Sequence, residues 1–341
     1  MAWGNTGHEA IACMAWKNLQ EPTKDKIFAL LQQVPTRKSA DGTRSIAGFA
    51  EWSQGLPAGL TEDQQHMYIF MRAATWADSI KHTFLQDSDT PPADFAAASS
   101  NLGFTDAFSH GYWHFIDTAF GAPLKGKTKP PALPASCAKF ATPAPVKVLP
   151  AAPIPNAATE IVLLSAALAS DESTDLKAYD LLWLEHIVGD VHQPLHASVH
   201  FVDGLPDSGG NCVAIAWPKD LSATFNSANP GSTLPSELHA VWDDLPGVGT
   251  QMDTQKAADY AATLTPVADA QIGSKVPADW AAESLAMAEK DAYSGPIGNG
   301  FGTPKAYLLT YAYFATANAD ARARIALAGA RLANLLTTAL H

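Results

Sequence analysis

Glu185-His186-Ile187-Val188-Gly189-Asp190-Val191-His192-Gln193-Pro194-Leu195-His196 follows directly on an apolar run, Asp180-Leu181-Leu182-Trp183-Leu184. The run has the spacing of a buried helix. On such a helix His186 and Asp190, four residues apart, share one face. Burying an imidazole and a carboxylate side by side is costly unless something satisfies both. A bound Zn²⁺ does so, because His nitrogen and carboxylate oxygen are ordinary zinc ligands. Pro194 has no N–H and clashes with the preceding turn, so it is expected to break or kink the helix and re-aim His196 from its end. Taken alone, the His-x-x-x-Asp spacing is explained at least as well by a satisfied core histidine beside a surface aspartate.

The rest of the chain shifts that balance. His239 and Asp243, in Leu238-His239-Ala240-Val241-Trp242-Asp243, repeat the spacing of four. His8, Asp78, His114 and His196 add further imidazoles and a carboxylate, enough ligand types for several zinc ions.

Around these positions the 341 residues read as mostly helical. The Ala-rich composition favours helix. Helices are predicted over 8–19, from Pro22 to about Gln33, and from Glu62 to Lys81, with loops and short helical pieces over 35–65. Residues 87–112 read as loop. Residues 121–155 are rich in Pro, Ala and Lys and read as a surface excursion within one domain, because candidate ligands lie on both sides of it. Asn156 or Thr159 is placed to cap a helix reaching Ala169. Residues 203–237 are loop-like, and Cys212-Val213-Ala214-Ile215-Ala216 is the best candidate for one strand of a small hairpin. Helices over about 253–272, 278–292, 303–317 and 318–340 contribute no His/Asp cluster and read as scaffold.

The formal charge of −12 excludes nonspecific attraction to nucleic acid. A polyanionic substrate would need bound metal or a local basic site. Three cysteines, Cys13, Cys137 and Cys212, allow one disulfide and a free thiol, with the pairing left open. No run is long and apolar enough to span a membrane. The chain opens Met1-Ala2-Trp3, and residues 1–2 are read as an expression start or the remnant of a removed signal.

A set of short motifs carries a family resemblance. They are Trp-Gly-x-x-Gly-His at 3–8, Trp-Ala-Asp at 76–78, Trp-His-Phe-Ile-Asp at 113–117, His-x-x-Gly-Asp-x-His-Gln-Pro-Leu-His at 186–196, Gly-Gly-Asn at 209–211 and Leu-His-x-Val-Trp-Asp at 238–243. In this order the chain resembles the zinc-dependent nucleases of the S-one/P-one type, which share a fold with bacterial zinc phospholipase C. The resemblance implies an all-α domain over 3–341 holding three zinc ions. Asp78, His114, His186 and Asp190 would hold the first; His196, His239 and Asp243 the second. His8, a bridging Asp190, and the amine and carbonyl of Trp3 would hold the third. Asp78 and Asp190 would then be catalytic, together with Lys81, which stands where the family usually has a phosphate-contacting arginine. Lys81 keeps the charge but lacks the bidentate fork.

The resemblance also places Asn211 on the phosphate, and Phe115 and Asp117 on an unpaired base. Phe115 has a second reading, as a core aromatic. His192 has no metal role, and His82 and His110 have no assigned role. The implied activity is hydrolysis of single-stranded DNA and RNA to 5′-phosphates, with 3′-nucleotidase activity, by a monomer with no stable protein partner, secreted or periplasmic. Because the family's Trp amine is terminal, native protein is expected to begin at Trp3; an amide there would be a poor ligand. A phospholipase C is the first alternative, disfavoured because His239-x-x-x-Asp243 stands where the phospholipases have His-x-x-x-Glu. A zinc-stabilised binding protein without turnover is the second, disfavoured by the presence of Lys81 and Asn211.

Overall fold

A helix made almost entirely of buried residues, α1 (Asn5–Asn18), runs through the centre of the protein. In a computed structural model, residues 3–39, 42–81, 83–84, 102–126, 137, 144–249, 253–297 and 305–341 are described. Helix α2 (Glu21–Leu31) has Pro22 in its first turn, and α3 (Phe49–Trp52) is a single turn. Helix α4 (Glu62–Ala73) begins in a capping box: Thr61 Oγ1 accepts from Gln64 N at 3.3 Å, and Gln64 Oε1 accepts from Thr61 N at 2.9 Å.

The single helix predicted over Glu62–Lys81 is in fact two. Thr75 leaves helical geometry (φ −97°, ψ 0°) and α5 (Trp76–Ile80) starts anew. The break has a use. In an unbroken helix the Ala74 carbonyl would accept from the amide four residues on. Here it accepts from His186 Nδ1 at 2.8 Å.

Helix α6 (Ala157–Ala169) is capped as the sequence predicts, with Asn156 Oδ1 accepting from the amides of Ala158 and Thr159. Helix α7 (Thr174–Asp190) carries the apolar run and is buried from Ala178 to its end. It stops at Asp190, before Pro194 can break it. Pro194 instead opens a 3₁₀ turn, Pro194–His196, a position that needs no proline N–H.

Helix α8 (Lys219–Ala228) lies within the stretch read as loop. Only Leu221 and Phe225 are buried on it, too thin a stripe to stand out among polar residues. After α9 (Leu238–Asp243), helix α10 (Thr254–Ala262) is shorter than predicted. Pro266 follows, and the residue before a proline disfavours helix. Helix α11 (Pro277–Met287) passes into a π turn, Ala288–Ala292. The two helices predicted over 303–317 and 318–340 are one, α12 (Tyr311–Ala339), since neither glycine nor proline interrupts the junction. Around α1 pack α4, α7, α10 and α12. Among the described residues no helix is long and apolar enough to cross a membrane.

The fold is mainly helical, as expected, with small sheets at its margins. β1 (Arg37–Lys38) and β2 (Ser45–Ile46) are antiparallel. β3 (Thr118–Gly121) runs parallel to β4 (Ser198–Val202), which turns back antiparallel into β5 (Leu205–Pro206). β6 (Ile215–Ala216) is a strand but not half of a hairpin. It pairs in parallel with β7 (Tyr307–Leu308), and Ala214 bridges antiparallel to Glu237. Local alternation gave the strand; its partner, some ninety residues on, has no local signal. Cys137 and Cys212 form a disulfide and Cys13 is a buried free thiol, so the 121–155 excursion is tied to the 203–237 segment. His82, and the expected loop over 87–101, lie outside the described residues.

Candidate metal centre

His186 and Asp190 end α7 fully buried. His8, on α1, stacks on His186 with ring centroids 3.8 Å apart. Gly189 permits that approach: a Cβ there would stand 2.9 Å from His8 Nδ1 and 3.1 Å from Ile11 Cδ1. His114 comes from the 3₁₀ turn Gly111–His114, and its Nδ1 donates to Asp190 Oδ2 at 2.9 Å. Asp78, on α5, places Oδ1 3.5 Å from His186 Nε2. Asp190 is shared: Oδ1 lies 3.3 Å from His8 Nε2 and Oδ2 3.4 Å from His186 Nε2. Two overlapping groups result, His8/His186/Asp190 and Asp78/His114/His186.

The second centre gathers His196, His239 and Asp243. His196 Nδ1 donates to the His114 carbonyl at 2.6 Å, and His239 Nδ1 donates to the Gly209 carbonyl at 2.7 Å. Both Nε2 lone pairs are thereby turned inward, 3.1 Å apart. Asp243 Oδ2 lies 3.6 Å from His239 Nε2, while its Oδ1 accepts from Gln193 Nε2 at 2.8 Å. A carbonyl acceptor on one ring nitrogen leaves the other as a ligating lone pair, which is how protein metal sites fix the tautomer.

These residues fit metal ions. Nε2 of His8, His114 and His186, Nδ1 of His8, and Oδ1 of Asp190 are buried with no hydrogen-bond partner among the described residues. Unpaired polar atoms in a core are destabilising, and here they converge. Burial, with help from His186, lowers His8 to a pKa of about 4, and burial with Lys81 lowers His114 to about 3. Both are therefore neutral, as ligands must be. Burial alone would raise Asp190, but His186, the bond from His114 and the nearby His8 ring outweigh it and hold its pKa well below the usual range. Asp243 goes the other way: burial pushes it well above that range despite the Gln193 bond. A cation between the two imidazoles would offset the cost of its charge.

The other predicted positions surround these centres. Lys81, just past α5, donates from Nζ to Asp78 Oδ1 at 2.6 Å. Burial would lower its pKa, but Asp78 and Asp190 dominate and raise it. Phe115 is half-buried, packed on the core through part of its ring, and its carbonyl accepts from Ala157 N at the start of α6. Asp117 is half-buried with φ +54°. Asn211 is half-buried, with Nδ2 donating to the Ser208 carbonyl at 2.8 Å. Trp3 is fully buried, and Gly4 N donates to the Asp243 carbonyl at 2.9 Å, which brings the 3–8 motif to the end of α9. Met1 and Ala2 lie outside the described residues.

The S1/P1 Nuclease family model matches residues 3–341. The chain belongs to the S1/P1 nuclease family. Among curated relatives, Endonuclease 2 of Arabidopsis thaliana is 28% identical over 126 residues, covering 37% of this chain and 34% of that protein. Endonuclease 5 and Endonuclease 4 of the same plant are 36% and 32% identical over 81 residues, covering 23% of this chain and 21% of each. The matches therefore span about a third or less of these relatives' length.

In this S1/P1 family member several supporting groups escaped the sequence reading. Gln193 orients Asp243, and the carbonyls of Ala74, His114 and Gly209 orient three histidines. Gln193 lies inside a quoted motif and could have been weighed; backbone carbonyls leave no mark in a sequence. His192 is structural, as read: Nδ1 donates to the Val188 carbonyl at 2.7 Å, and Nε2 accepts from Arg331 at 3.0 Å. His110 bonds Asp106 and stacks on Trp113.

Proposed function

We propose that this protein is a zinc-dependent phosphodiesterase that cuts single-stranded DNA and RNA to 5′-phosphate products and removes 3′-phosphates from nucleotides. The observation that carries the reading is the convergence of unpaired, buried imidazole nitrogens on the Asp190 carboxylate in a chain of this family. Asp78, His114, His186 and Asp190 would hold one zinc; His196, His239 and Asp243 a second; and His8, Asp190 and the main chain of Trp3 a third. Bound zinc supplies Lewis acidity toward phosphoryl oxygen and brings the pKa of water toward neutrality, the requirement for in-line attack on phosphorus.

The protein's own groups do the rest. Lys81, cationic beside Asp78, would bind a phosphate oxygen as a point charge. Asn211 would add a donor from the 209–211 loop. Phe115 would stack an unpaired base, with Asp117 hydrogen-bonding its edge. The net charge of −12 makes this local binding necessary, since the protein as a whole repels polyanions. The Cys137–Cys212 disulfide supports an oxidising compartment, secreted or periplasmic.

The test is product analysis on denatured DNA, RNA and phosphatidylcholine side by side, with metal analysis of the same preparation. Cleavage of both nucleic acids to 5′-phosphates is expected. Release of phosphocholine without nuclease activity would make the protein a phospholipase C. Bound zinc without turnover of any of the three would make it a binding protein.

A further inference from the structure

Asp207 is a buried carboxylate in none of the three ligand groups, and it ties its own turn to β4 and to the distant Tyr293. Its Oδ1 accepts from His200 N on β4 at 2.9 Å. Its Oδ2 accepts from Gly210 N at 3.1 Å and from the Tyr293 hydroxyl, just past the π turn, at 2.5 Å. Its own amide donates to the His200 carbonyl and its carbonyl accepts from Cys212 N, both at 2.9 Å. Cys212 is in turn fixed by its disulfide.

Between Asp207 and Cys212 the backbone runs left-handed. Ser208, Gly209 and Gly210 all have positive φ, +56°, +60° and +82°. The two glycines adopt this conformation freely; Ser208, which carries a Cβ, holds it only where its surroundings over-determine it. The turn they form sets Gly209 against the second metal centre, so close that a Cβ would stand 2.7 Å from the Leu195 carbonyl. Its outcome is the Gly209 carbonyl 2.7 Å from His239 Nδ1. A carboxylate, which only accepts, matches three converging donors; an amide would oppose one of them with an N–H of its own. Burial raises the Asp207 pKa to about 6, so the charge is retained at a cost.

We propose that Asp207 is a positioning residue for the second metal centre: it clamps the Ser208–Asn211 turn so that Gly209 holds His239 in the tautomer and orientation that aim Nε2 at His196 and Asp243. The inference rests on reading that centre as a zinc site.

The test compares wild type, Asp207→Asn, Tyr293→Phe and, as benchmark, His239→Ala, all as purified. Zinc content and affinity are measured by competition with a chromophoric chelator, and exchange of the His239 Nδ1–H with water by ¹⁵N NMR. In Asp207→Asn, one zinc equivalent, the one lost in His239→Ala, is expected to bind at least about tenfold more weakly, the range for loss of an outer-sphere partner. Nδ1–H exchange should accelerate by a similar factor. Tyr293→Phe removes one of three donors and should move both readouts the same way by less. A lowered melting temperature with unchanged zinc affinity and unchanged exchange would overturn the proposal, leaving Asp207 a merely structural residue. If Asp207→Asn does not fold, Tyr293→Phe decides on the same two readouts. If wild type holds no zinc, the zinc reading fails, and the exchange measurement still judges the clamp: faster exchange supports it and unchanged exchange refutes it.

Discussion

His196 and His239 meet Nε2 to Nε2 at 3.1 Å, each with its Nδ1 committed to a backbone carbonyl. Two lone pairs at that distance repel unless a proton or a cation lies between them. With Asp243 beside them, a cation is the chemically complete answer. On the proposed reading of three sites, about three zinc ions per chain are expected on elemental analysis, and one or none with full activity would sink the mechanism. Chelation should also lower the melting temperature by roughly 6 °C. That corresponds to losing about 4 kcal/mol of ligand linkage from a large domain.

Asp190 touches His8, His114 and His186 at once, so histidines of both overlapping groups meet on one carboxylate. Asp190→Asn keeps the shape and removes the charge. Turnover of single-stranded DNA should fall at least about a hundredfold, the scale of losing a metal-activated nucleophile. Near-normal kcat would mean that Asp190 does not join two metals.

The first of these relationships was legible in part. His196, His239 and Asp243 follow from motif and spacing, because a spacing of four on a helix puts side chains on one face. What set their tautomers did not, because it depends on where the chain stops being helical. The break at Ala74–Thr75 frees the carbonyl that orients His186, and the left-handed turn at Ser208–Gly210 aims the one that orients His239. The glycines at 209–210 mark a turn, but which carbonyl it aims, and at which histidine, is a tertiary fact in both cases. The helix ends failed for a similar reason. Asp190 ends α7 ahead of Pro194, and α12 runs through residues 317–318 because nothing in the sequence stops it.

Gly189, on α7, faces α1 where the two stacked rings meet. Gly189→Ala would put a methyl group 2.9 Å from His8 Nδ1 and 3.1 Å from Ile11 Cδ1. Helix propensity alone would make the change favourable by up to about 1 kcal/mol. Overpacking should outweigh that, with a net loss of about 1–2 kcal/mol and a displaced His8. Denaturant unfolding and zinc analysis of the variant check both parts. An unchanged zinc content would mean that His8 is not a ligand.

Phe115 shares its ring between core and solvent while its carbonyl accepts from the first amide of α6. Stacking needs a base out of the duplex, so denatured DNA should be cut faster than duplex. Phe115→Ala should raise KM by about fivefold to 150-fold, equivalent to about 1–3 kcal/mol of lost stacking, with kcat little changed. Equal cutting of duplex and single strand by wild type would refute the stacking role. A fall in kcat and melting temperature with constant KM would assign Phe115 to the core.

Glu160 tests the electrostatics of the scaffold away from the metal ligands in sequence. It sits in the first turn of α6, where the helix dipole favours a carboxylate, and yet burial raises its pKa to about 7. It is 1% exposed, and its Oε1 has no hydrogen-bond partner among the described residues. Between pH 4.5, its unfolded value, and about 7 the folded state binds the extra proton. Protonation-linked stability is therefore fully present below pH 4.5 and is lost as pH rises through 7. Glu160→Gln keeps the shape and removes the titration. Relative to wild type, the variant should gain stability with rising pH, reaching up to about 3 kcal/mol by pH 8 from a shift of this size. Denaturant unfolding of both proteins at pH 5, 6, 7 and 8 measures the difference. A difference that stays flat across that range would mean that Glu160 reaches water or a partner and ionises in the folded state as freely as in the unfolded chain.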